Sequence, residues 1–510
     1  MPPQDTATAQ RPPDIVLTLA LVQPMAGAAD LAARLARTPL LLRRAATRRQ
    51  LHCVYFDTPE QTLRRARASL FLCRVTGVGG RPQWRQTLAL DGDSRFASAG
   101  GGVWEVPVSG AALSLAALAA TPWHGLDPDG QLFPALQASF ETRCERSSWT
   151  LRRRDRSVVQ VALDLGDMVA QDHGTPICEL SLQLEAGQSG ALFQVARQLA
   201  QQVAVLPESR SRAERGYTLA AGALDLPRQA QLAALAPELP VAEAAWLLLR
   251  EMFMHFTVNL NRLRQADDDE LVHQARVGWR RFKSGLRLFG PVLAGDAVPT
   301  WAPLGPVLAF LGELRDIDVA RTTTLPRFAQ SYAAGDPARA AQWQAVTRAL
   351  AEAAELKRKS VRYALQDPAV GTCLVAITQW LEGCPAPQGA RPAEAAKPAG
   401  LRRWSRHRIA RLHRKMEAAL KAAQRPEERH RVRILAKRLR YGIEALQPLL
   451  PTRRARRWLK QASTLQVTLG AQRDLQHAHT VVAQLELAQG PADFLRGVAA
   501  GCDSVLASAA

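Results

Sequence analysis

Lysine is missing from the first 222 residues of this 510-residue chain, which hold 24 Arg, no Lys and 20 Asp plus Glu. Every cation of that half, lone histidines aside, is therefore a guanidinium, and its net charge is only +4. The seven cysteines (Cys53, Cys73, Cys144, Cys178, Cys373, Cys384 and Cys502) include no C-x-x-C pair. An odd set of this kind argues for a reducing compartment with buried or incidental thiols, not a disulfide framework. Long apolar runs are missing too: Pro, Gly or charge breaks the Ala/Leu-rich stretches before about 18 residues. The start, Met1-Pro-Pro-Gln-Asp5, has neither a basic n-region nor an apolar h-region. These gaps predict a cytoplasmic protein with neither export nor membrane insertion. A further gap is local, since Asp and Glu are absent from residues 272 to 289.

What is present is positive charge, placed late. The chain carries +20 overall, and residues 223–510 hold 42 basic against 26 acidic residues, a net of +16. Such a field raises the local concentration of anions but does not choose a fold. Nucleic acid, an anionic membrane surface and inorganic polyphosphate are the candidate partners. The length suits about two to four domains, and a 47% hydrophobic content is ample for a core.

The charge is organised by an internal repeat. His273-Gln-Ala-Arg276-Val-Gly-Trp-Arg280-Arg281-Phe-Lys283 and His430-Arg-Val-Arg433-Ile-Leu-Ala-Lys437-Arg438-Leu-Arg440 share the pattern H-x-x-R-x-x-x-[KR]-R-x-[KR], 157 residues apart. A second echo follows each copy at nearly the same distance, Leu311-Gly-Glu-Leu-Arg315-Asp316-Ile and Leu469-Gly-Ala-Gln-Arg473-Asp474-Leu. On a helix, His273, Arg276, Arg280, Lys283 and Arg287 fall within a sector roughly 80° wide. The opposite face holds Trp279, Phe282, Leu286 and Phe289, and in the second copy Leu435, Leu439, Ile443 and Leu446, so that face is core. An ordinary solvated helix surface interleaves both signs, and this one does not. Paired His also suit metal, yet three cations in the same sector would repel a divalent ion and no carboxylate lies among them. The Arg315-Asp316 and Arg473-Asp474 pairs read as packing devices.

Residues 14 to about 220 read as eight short strands with intervening helices: 15–22, 50–56, 68–74, 84–90, 102–108, 145–151, 157–165 and 177–185. Turn material such as Gly77-Val-Gly-Gly80 and Asp91-Gly-Asp93 separates them. This predicts an antiparallel sheet or barrel. Helical periodicity takes over after the Pro-containing segment 225–240 and runs to about 488, interrupted by an Ala/Pro/Gly-rich linker over 384–400.

The repeated motifs, with Leu311-Gly-Glu-Leu-Arg-Asp-Ile-Asp318 and Arg440-Tyr441, resemble the CHAD (conserved histidine α-helical domain) family. The resemblance implies an all-α domain over 240–490, made of two pseudo-symmetric four-helix bundles (repeat 1 about 240–383, linker 384–400, repeat 2 about 401–490). It also implies polyphosphate contacts from His273, Arg276, Arg280, Arg281, Lys283, Arg287, His430, Arg433, Lys437, Arg438, Arg440 and Tyr441. Rows of guanidinium and ammonium donors on rigid elements suit a linear polyanion.

Residues 14–222 carry Tyr55-Phe-Asp-Thr-Pro59, Trp84-Arg-Gln-Thr-Leu88, Trp104-Glu-Val-Pro107, Ala162-Leu-Asp164, Ile177-Cys-Glu-Leu180 and Ser211-Arg-Ala-Glu-Arg-Gly-Tyr217. These resemble the CYTH domain of the triphosphate tunnel enzymes, which implies an eight-stranded antiparallel tunnel whose acidic residues hold metal and whose basic residues grip phosphates. The signature E-x-E-x-K stands here as Asp14-Ile-Val16-Leu-Thr18. Phe71, Cys73, Ala89 and Ser181 occupy further positions where the family places charge. Holding two hard cations against a phosphate needs clustered carboxylates, so the tunnel reads as catalytically degenerate. Arg143, Arg146, Arg210, Arg212 and Arg215 remain as tunnel phosphate contacts, and Glu105, Asp164, Glu179 and Glu185 as ligands for Mg or Mn only if the tunnel is active. Structural ion pairs along a barrel would account for the same residues.

The chain is thus expected to bind inorganic polyphosphate through the helical faces, without membrane insertion and with no cofactor required, in the cytoplasm or at polyphosphate granules. An active metal-dependent tri- or polyphosphatase is one alternative. A nucleic-acid-binding protein is the other, disfavoured because the strips lack aromatic platforms for single strands.

Overall fold

A computed structural model describes residues 10–11, 16–22, 28–90, 102–233, 235–293, 298–383, 400–485 and 489–508. The expected linker over 384–399, Asp14, Cys384 and the Asp91-Gly-Asp93 turn lie outside them. The chain forms two compact units. One comprises Met1–Leu226, Pro299–Pro303 and Leu365–Gly383, the other Pro227–Val298, Leu304–Ala364 and Cys384–Ala510. The tail of the span expected for the first repeat, 365–383, therefore packs in the sheet unit.

The first unit is built on one antiparallel sheet ordered β1-β6-β5-β4-β3-β7-β8-β9-β2-β10. The strands are β1 (Gln10–Arg11), β2 (Val16–Leu21), β3 (Thr47–Asp57), β4 (Ala68–Gly77), β5 (Gln83–Leu90), β6 (Gly102–Val108), β7 (Gln137–Arg152), β8 (Val158–Ala170), β9 (His173–Ala186) and β10 (Val205–Glu208). Among the described residues ten strands stand where eight were expected. The two added ones, β1 and β10, close the ends of the ladder, and β10 is a four-residue segment containing Pro207, which a strand tolerates at an edge. The long strands bury both faces. Along β7 the even residues Phe140, Thr142 and Cys144 are buried, then the odd residues Ser147, Trp149 and Leu151, because two cores lie on opposite sides. On one side Leu17, Leu19 and Leu180 pack against helices α1 (Ala28–Ala36) and α4 (Ser189–Ala200). On the other, Tyr55, Phe140, Cys144 and Tyr217 gather beneath α5 (Arg212–Ala220). Short turns α2 (Thr62–Arg65) and α3 (Trp123–Leu126) fill corners.

The reading of all cysteines as free thiols is corrected at one pair. Cys53 and Cys73 stand directly opposite each other on β3 and β4, their Cα atoms 4.0 Å apart, and are joined as a disulfide. Spacing along the sequence could not reveal this, because the antiparallel register brings together residues 20 apart. Cys144, Cys373 and Cys502 are free thiols.

In the helical unit, α6 (Val241–Arg262) is buried around almost its whole circumference. It is followed by α7 (Asp269–Phe289), α8 (Gly305–Val319), the short α9 (Ala329–Ala333) and α10 (Pro337–Ala364). The second copy repeats the plan with α12 (Leu401–Ala422), α13 (Pro426–Leu446), α14 (Thr452–Ala483) and α15 (Gln489–Ser508). The intervening α11 (Pro368–Glu382) belongs to the sheet unit, where Gly371 lets it lie on β10: a Cβ there would meet the Val205 carbonyl oxygen at 2.5 Å. Helix α7 starts at Asp268, whose side chain accepts the Glu270 N–H at 2.7 Å, with Asp269 and Glu270 at the positive end of the dipole. Equivalent glycines set the helix pairs close: a Cβ on Gly285 would come within 2.9 Å of Leu249 and Met252 of α6, and one on Gly442 within 2.9 Å of Ile409 of α12. Trp279, Phe282 and Phe289 are buried, as are Leu439, Ile443 and Leu446, while Leu286 and Leu435 are half-buried. Among the described residues no helix is long and apolar enough to cross a membrane.

Candidate functional site

In the helical unit the charged residues of the two copies converge. His273, Arg276, Arg280 and Lys283 are half-buried on α7, and Arg433, Lys437, Arg438 and Arg440 are half-buried on α13. Arg287 and His430 are exposed. The electrostatics tie the copies together. Burial first, then Arg280 of the first copy and Arg433, Arg473 and Arg440 of the second, push the Lys437 ammonium down to about 7. Arg276 is pushed down to about 10, by burial and then by Arg280, with Asp316 opposing and Arg315 and Arg473 adding to it. His273 and His430 are both held below the usual imidazole range by burial, then chiefly by Arg315 and by Arg473 respectively. Burial, reinforced by gathered like charges, produces such depression.

The second echo explains how the cations are held. A Cβ on Gly312 would lie 2.7 Å from an Arg276 Nη, and one on Gly470 would lie 3.8 Å from an Arg433 Nη. The glycine of each Leu-Gly motif thus leaves room for the arginine of each His-x-x-Arg motif. Neither Arg276 Nε nor Arg433 Nε has a hydrogen-bond partner. Arg473 Nε donates to His477 Nε2 at 2.8 Å, which leaves the His477 hydrogen on Nδ1, 3.6 Å from an Asp316 oxygen. Asp316 and Asp474 therefore face guanidinium groups, and the Arg-Asp echoes serve the cluster as well as the packing.

Two predicted contacts stand elsewhere. Arg281 is only 3% exposed. Its guanidinium is depressed by burial, and Glu444 and Glu251 face it. Tyr441 is 3% exposed, with the Arg440 guanidinium 4.9 Å from its ring centroid. These two lie in the bundle core. Sequence reading also missed a buried group in the first copy: Asp318 is fully buried, 3.4 Å from Arg358, which also pairs with Asp269. Burial, then Asp269, raises Asp318 to about 6. The Arg-Asp-x-Asp spacing was its only trace.

The sheet unit arranges charge differently. Arg146 of β7 and Asp164 of β8 are cross-strand partners and form a bidentate pair, both contacts 2.7 Å. Arg212 bridges Asp164 and Glu179, and Arg215 reaches the other Glu179 oxygen. Burial alone would raise Asp164 and Glu179, but these guanidiniums hold both carboxyls below their ordinary values. Arg210 forms its own buried pair with Glu208 at 3.1 Å. The remaining candidates are dispersed: Arg143 pairs with Glu141 at 2.6 Å, Glu105 pairs with Arg85, and Glu185 is exposed near the end of β9. Among the described residues no cluster of three or more His, Cys, Asp or Glu could hold a metal ion. With their oxygens engaged by guanidinium, Asp164 and Glu179 do not fit Mg or Mn as they stand. Above this lattice Phe71 stacks on Tyr55 at 4.7 Å and Tyr55 on Phe140 at 4.3 Å, with Tyr217 edge-on to Phe140. Aromatic packing thus surrounds Phe71, a position where charge was expected.

The chain matches the family model of the CYTH domain over residues 28–217 and that of the CHAD domain over residues 247–483. An inorganic triphosphatase of Haemophilus influenzae is 33% identical over 97 residues, 19% of this chain and 27% of that protein, so the chain spans about a quarter of this relative. The crystal structure of a CHAD domain from the plant Ricinus communis covers 55% of this chain and 92% of its own, at 27% identity and a TM-score of 0.46. A Hippeastrum protein described as having a dominant triphosphatase activity covers 41% of this chain and 96% of its own, at 11% identity and a TM-score of 0.26. Residues 28–217 of this chain belong to the CYTH family, and residues 247–483, which follow them, to the CHAD family.

Proposed function

We propose that the protein binds inorganic polyphosphate through the cations that α7 and α13 bring together, and that its CYTH domain does not hydrolyse the polymer. The observation that carries this reading is the gathering of Arg280 on α7 with Arg433, Lys437 and Arg440 on α13 and Arg473 on α14, where burial first and then these arginines push the Lys437 ammonium down to about 7. Like charges so gathered cost free energy in the free protein, and a polyanion relieves that cost on binding. His273, Arg276 and Lys283 extend the row on α7, and Arg287, Arg438 and His430 flank it. On this reading the two bundles act as one binding element, the domains falling at 14–222 and 240–490, and no metal is required.

An active metal-dependent tri- or polyphosphatase is favoured by one observation, the partial likeness to a triphosphatase. The Asp164, Glu179, Arg146, Arg212 and Arg215 lattice speaks against it, because its carboxylates would have to exchange buried guanidinium partners for metal. The test uses the full chain. Polyphosphate binding is measured at several salt concentrations, and phosphate release from triphosphate and polyphosphate is measured with Mg²⁺ or Mn²⁺. Binding that weakens steeply with salt, as counterion release requires, with release near background, is the expected result. Vigorous metal-dependent release that Glu179→Gln abolishes would overturn the non-hydrolytic reading, and equal affinity for duplex DNA would overturn the ligand.

A further inference from the structure

A second cationic surface lies outside the residues of the repeated motifs. Helix α12 exposes Arg402, Arg403, Arg406, Arg411, Arg414 and Lys415, and the start of α14 exposes Arg453, Arg454, Arg456, Arg457 and Lys460. The two helices run side by side in the same direction. Arg406 borders a crevice with Arg454 and Trp458, and His413 stacks on Trp458 at 4.4 Å and bonds Gln461 at 3.0 Å. Between 452 and 473 the sequence has no Asp or Glu, and α12 has only Glu417, which is engaged by Gln461.

The contrast with α10 removes the ordinary explanation of a solvated helix. There Lys357, Arg358, Lys359 and Arg362 meet Glu313, Asp269, Glu355 and Asp267 respectively. Among the described residues none of the eleven exposed Arg and Lys of the α12–α14 face forms an ion pair. Unneutralised charge at this density destabilises the folded chain by self-repulsion and suits an anionic partner.

The chemistry of the face also selects among polyanions. Nine of the eleven cations are arginines, which grip phosphate oxygens bidentately. Stacking a base needs an open aromatic face. Trp458 is half-buried and flanked by His413 and by the Arg454 guanidinium, 5.8 Å from its ring centroid, and neither segment exposes a Phe, Tyr or Trp, His407 being the exposed ring. A base-free polyanion fits better than a nucleic acid. Arg456 and Arg473 are 17 residues apart on one helix, so about 25 Å separates this face from the first cluster along α14.

We propose that the α12–α14 face is a second binding surface for the same inorganic polyphosphate, engaged only by chains long enough to run from the first cluster to it. This rests on the polyphosphate reading of the α7–α13 cluster. It makes chain length a property read by the spacing of two surfaces, the second binding event becoming intramolecular.

The test compares full-length wild type, a face variant (Arg453→Gln, Arg454→Gln, Arg456→Gln, Arg457→Gln) and a cluster variant (Arg276→Gln, Arg433→Gln). Each is titrated with a polyphosphate too short to span about 25 Å and with one several times longer, and with single-stranded RNA of equal charge. Thermal melts confirm that the exposed substitutions leave the fold intact. The face variant is expected to lose tenfold or more in affinity for the long chain, with a shallower salt dependence, and nothing for the short one. Equal affinity of wild type and face variant for the long chain would overturn this proposal while leaving the first cluster standing. Failure of wild type to bind either polyphosphate would overturn the polyphosphate reading itself. RNA binding that the face variant alone loses would make the surface a nucleic-acid site and overturn the assignment.

Discussion

The two units spend charge in opposite ways. In the sheet, Asp164, Glu179 and Glu208 are each met by guanidinium, and the ionised carboxyls are stabilised against their burial. In the bundles, Arg276, Arg280, Arg433, Lys437 and Arg473 are brought together, with Asp316 and Asp474 opposing them. A closed lattice satisfies itself and has little to offer a ligand. An open cluster is incomplete until an anion arrives. Both are arginine-rich, so the difference lies in the neighbours and not in the residue type.

Breaking the closed lattice gives the largest effect. Arg212→Ala leaves Asp164 and Glu179 buried with one guanidinium fewer, and removing one partner from a buried ion pair costs about 3–5 kcal/mol. Chemical denaturation of the full chain, followed by Trp fluorescence, should register that loss in the transition of the sheet unit. The same pairs set an acid limit. Glu208 is buried, yet Arg210 holds it down at about 2, and Asp164 and Glu179 are lowered too. Groups lowered in the folded state contribute stability above their unfolded values, about 4, and lose it as pH falls through the folded ones. The sheet unit should therefore hold to about pH 4 and weaken between about 4 and 2. A unit that weakens already near neutrality would contradict the lattice.

Breaking the open cluster should cost binding, not stability. Arg276→Ala with Arg280→Ala, and Arg433→Ala with Lys437→Ala, should each weaken polyphosphate binding, every charged contact contributing on the order of 1.5–3 kcal/mol. Isothermal titration at one salt concentration checks it. Similar losses from the two pairs mark one shared element, and loss from one pair only would assign the ligand to a single copy.

Much of this comparison is legible in the sequence. The duplicated His-x-x-Arg pattern and the missing acids of 272–289 mark the cluster, because helical spacing projects them onto one side. Eight of the ten strands follow from alternation and turn chemistry. What escapes notice depends on partners distant in sequence. Arg281 keeps the motif, but helical spacing already sets it about 120° from the middle of the strip; what the spacing cannot show is that its partners are Glu251 and Glu444 on other helices. The Cys53–Cys73 pair depends on strand register. The Gly312 and Gly470 echoes are visible, but their use as room for a guanidinium emerges only when α8 meets α7 and α14 meets α13.

Lys437 gives a smaller, pH-dependent effect. Burial, then the four arginines, holds its ammonium at about 7 in the free protein, and a bound polyanion favours the charged form. Binding should therefore take up a proton above about pH 7, and affinity should fall with rising pH by at most about tenfold per unit. Folding responds with the opposite sign. The unfolded lysine keeps its proton to about 10.4, so the stability lost by depressing it shrinks as pH rises above 7. Lys437→Met should flatten both slopes in titrations between pH 6.5 and 9. Slopes that persist in the variant would assign the proton to another group.

The smallest effect distinguishes the copies from each other. A Cβ at Gly312 would stand 2.7 Å from the Arg276 guanidinium, whereas one at Gly470 would stand 3.8 Å from that of Arg433, an ordinary contact. Alanine in place of a mid-helix glycine stabilises by roughly 0.5–1 kcal/mol when nothing is in its way. Gly470→Ala should therefore raise the melting temperature slightly and leave polyphosphate affinity alone. Gly312→Ala meets only the far end of a flexible side chain, so the fold tolerates it, but Arg276 must leave its place and binding should weaken by about 1 kcal/mol, the scale of one hydrogen bond. If both substitutions leave affinity unchanged, Arg276 does not act from the position it occupies over Gly312, and the first copy contributes through Arg280 and Lys283 instead.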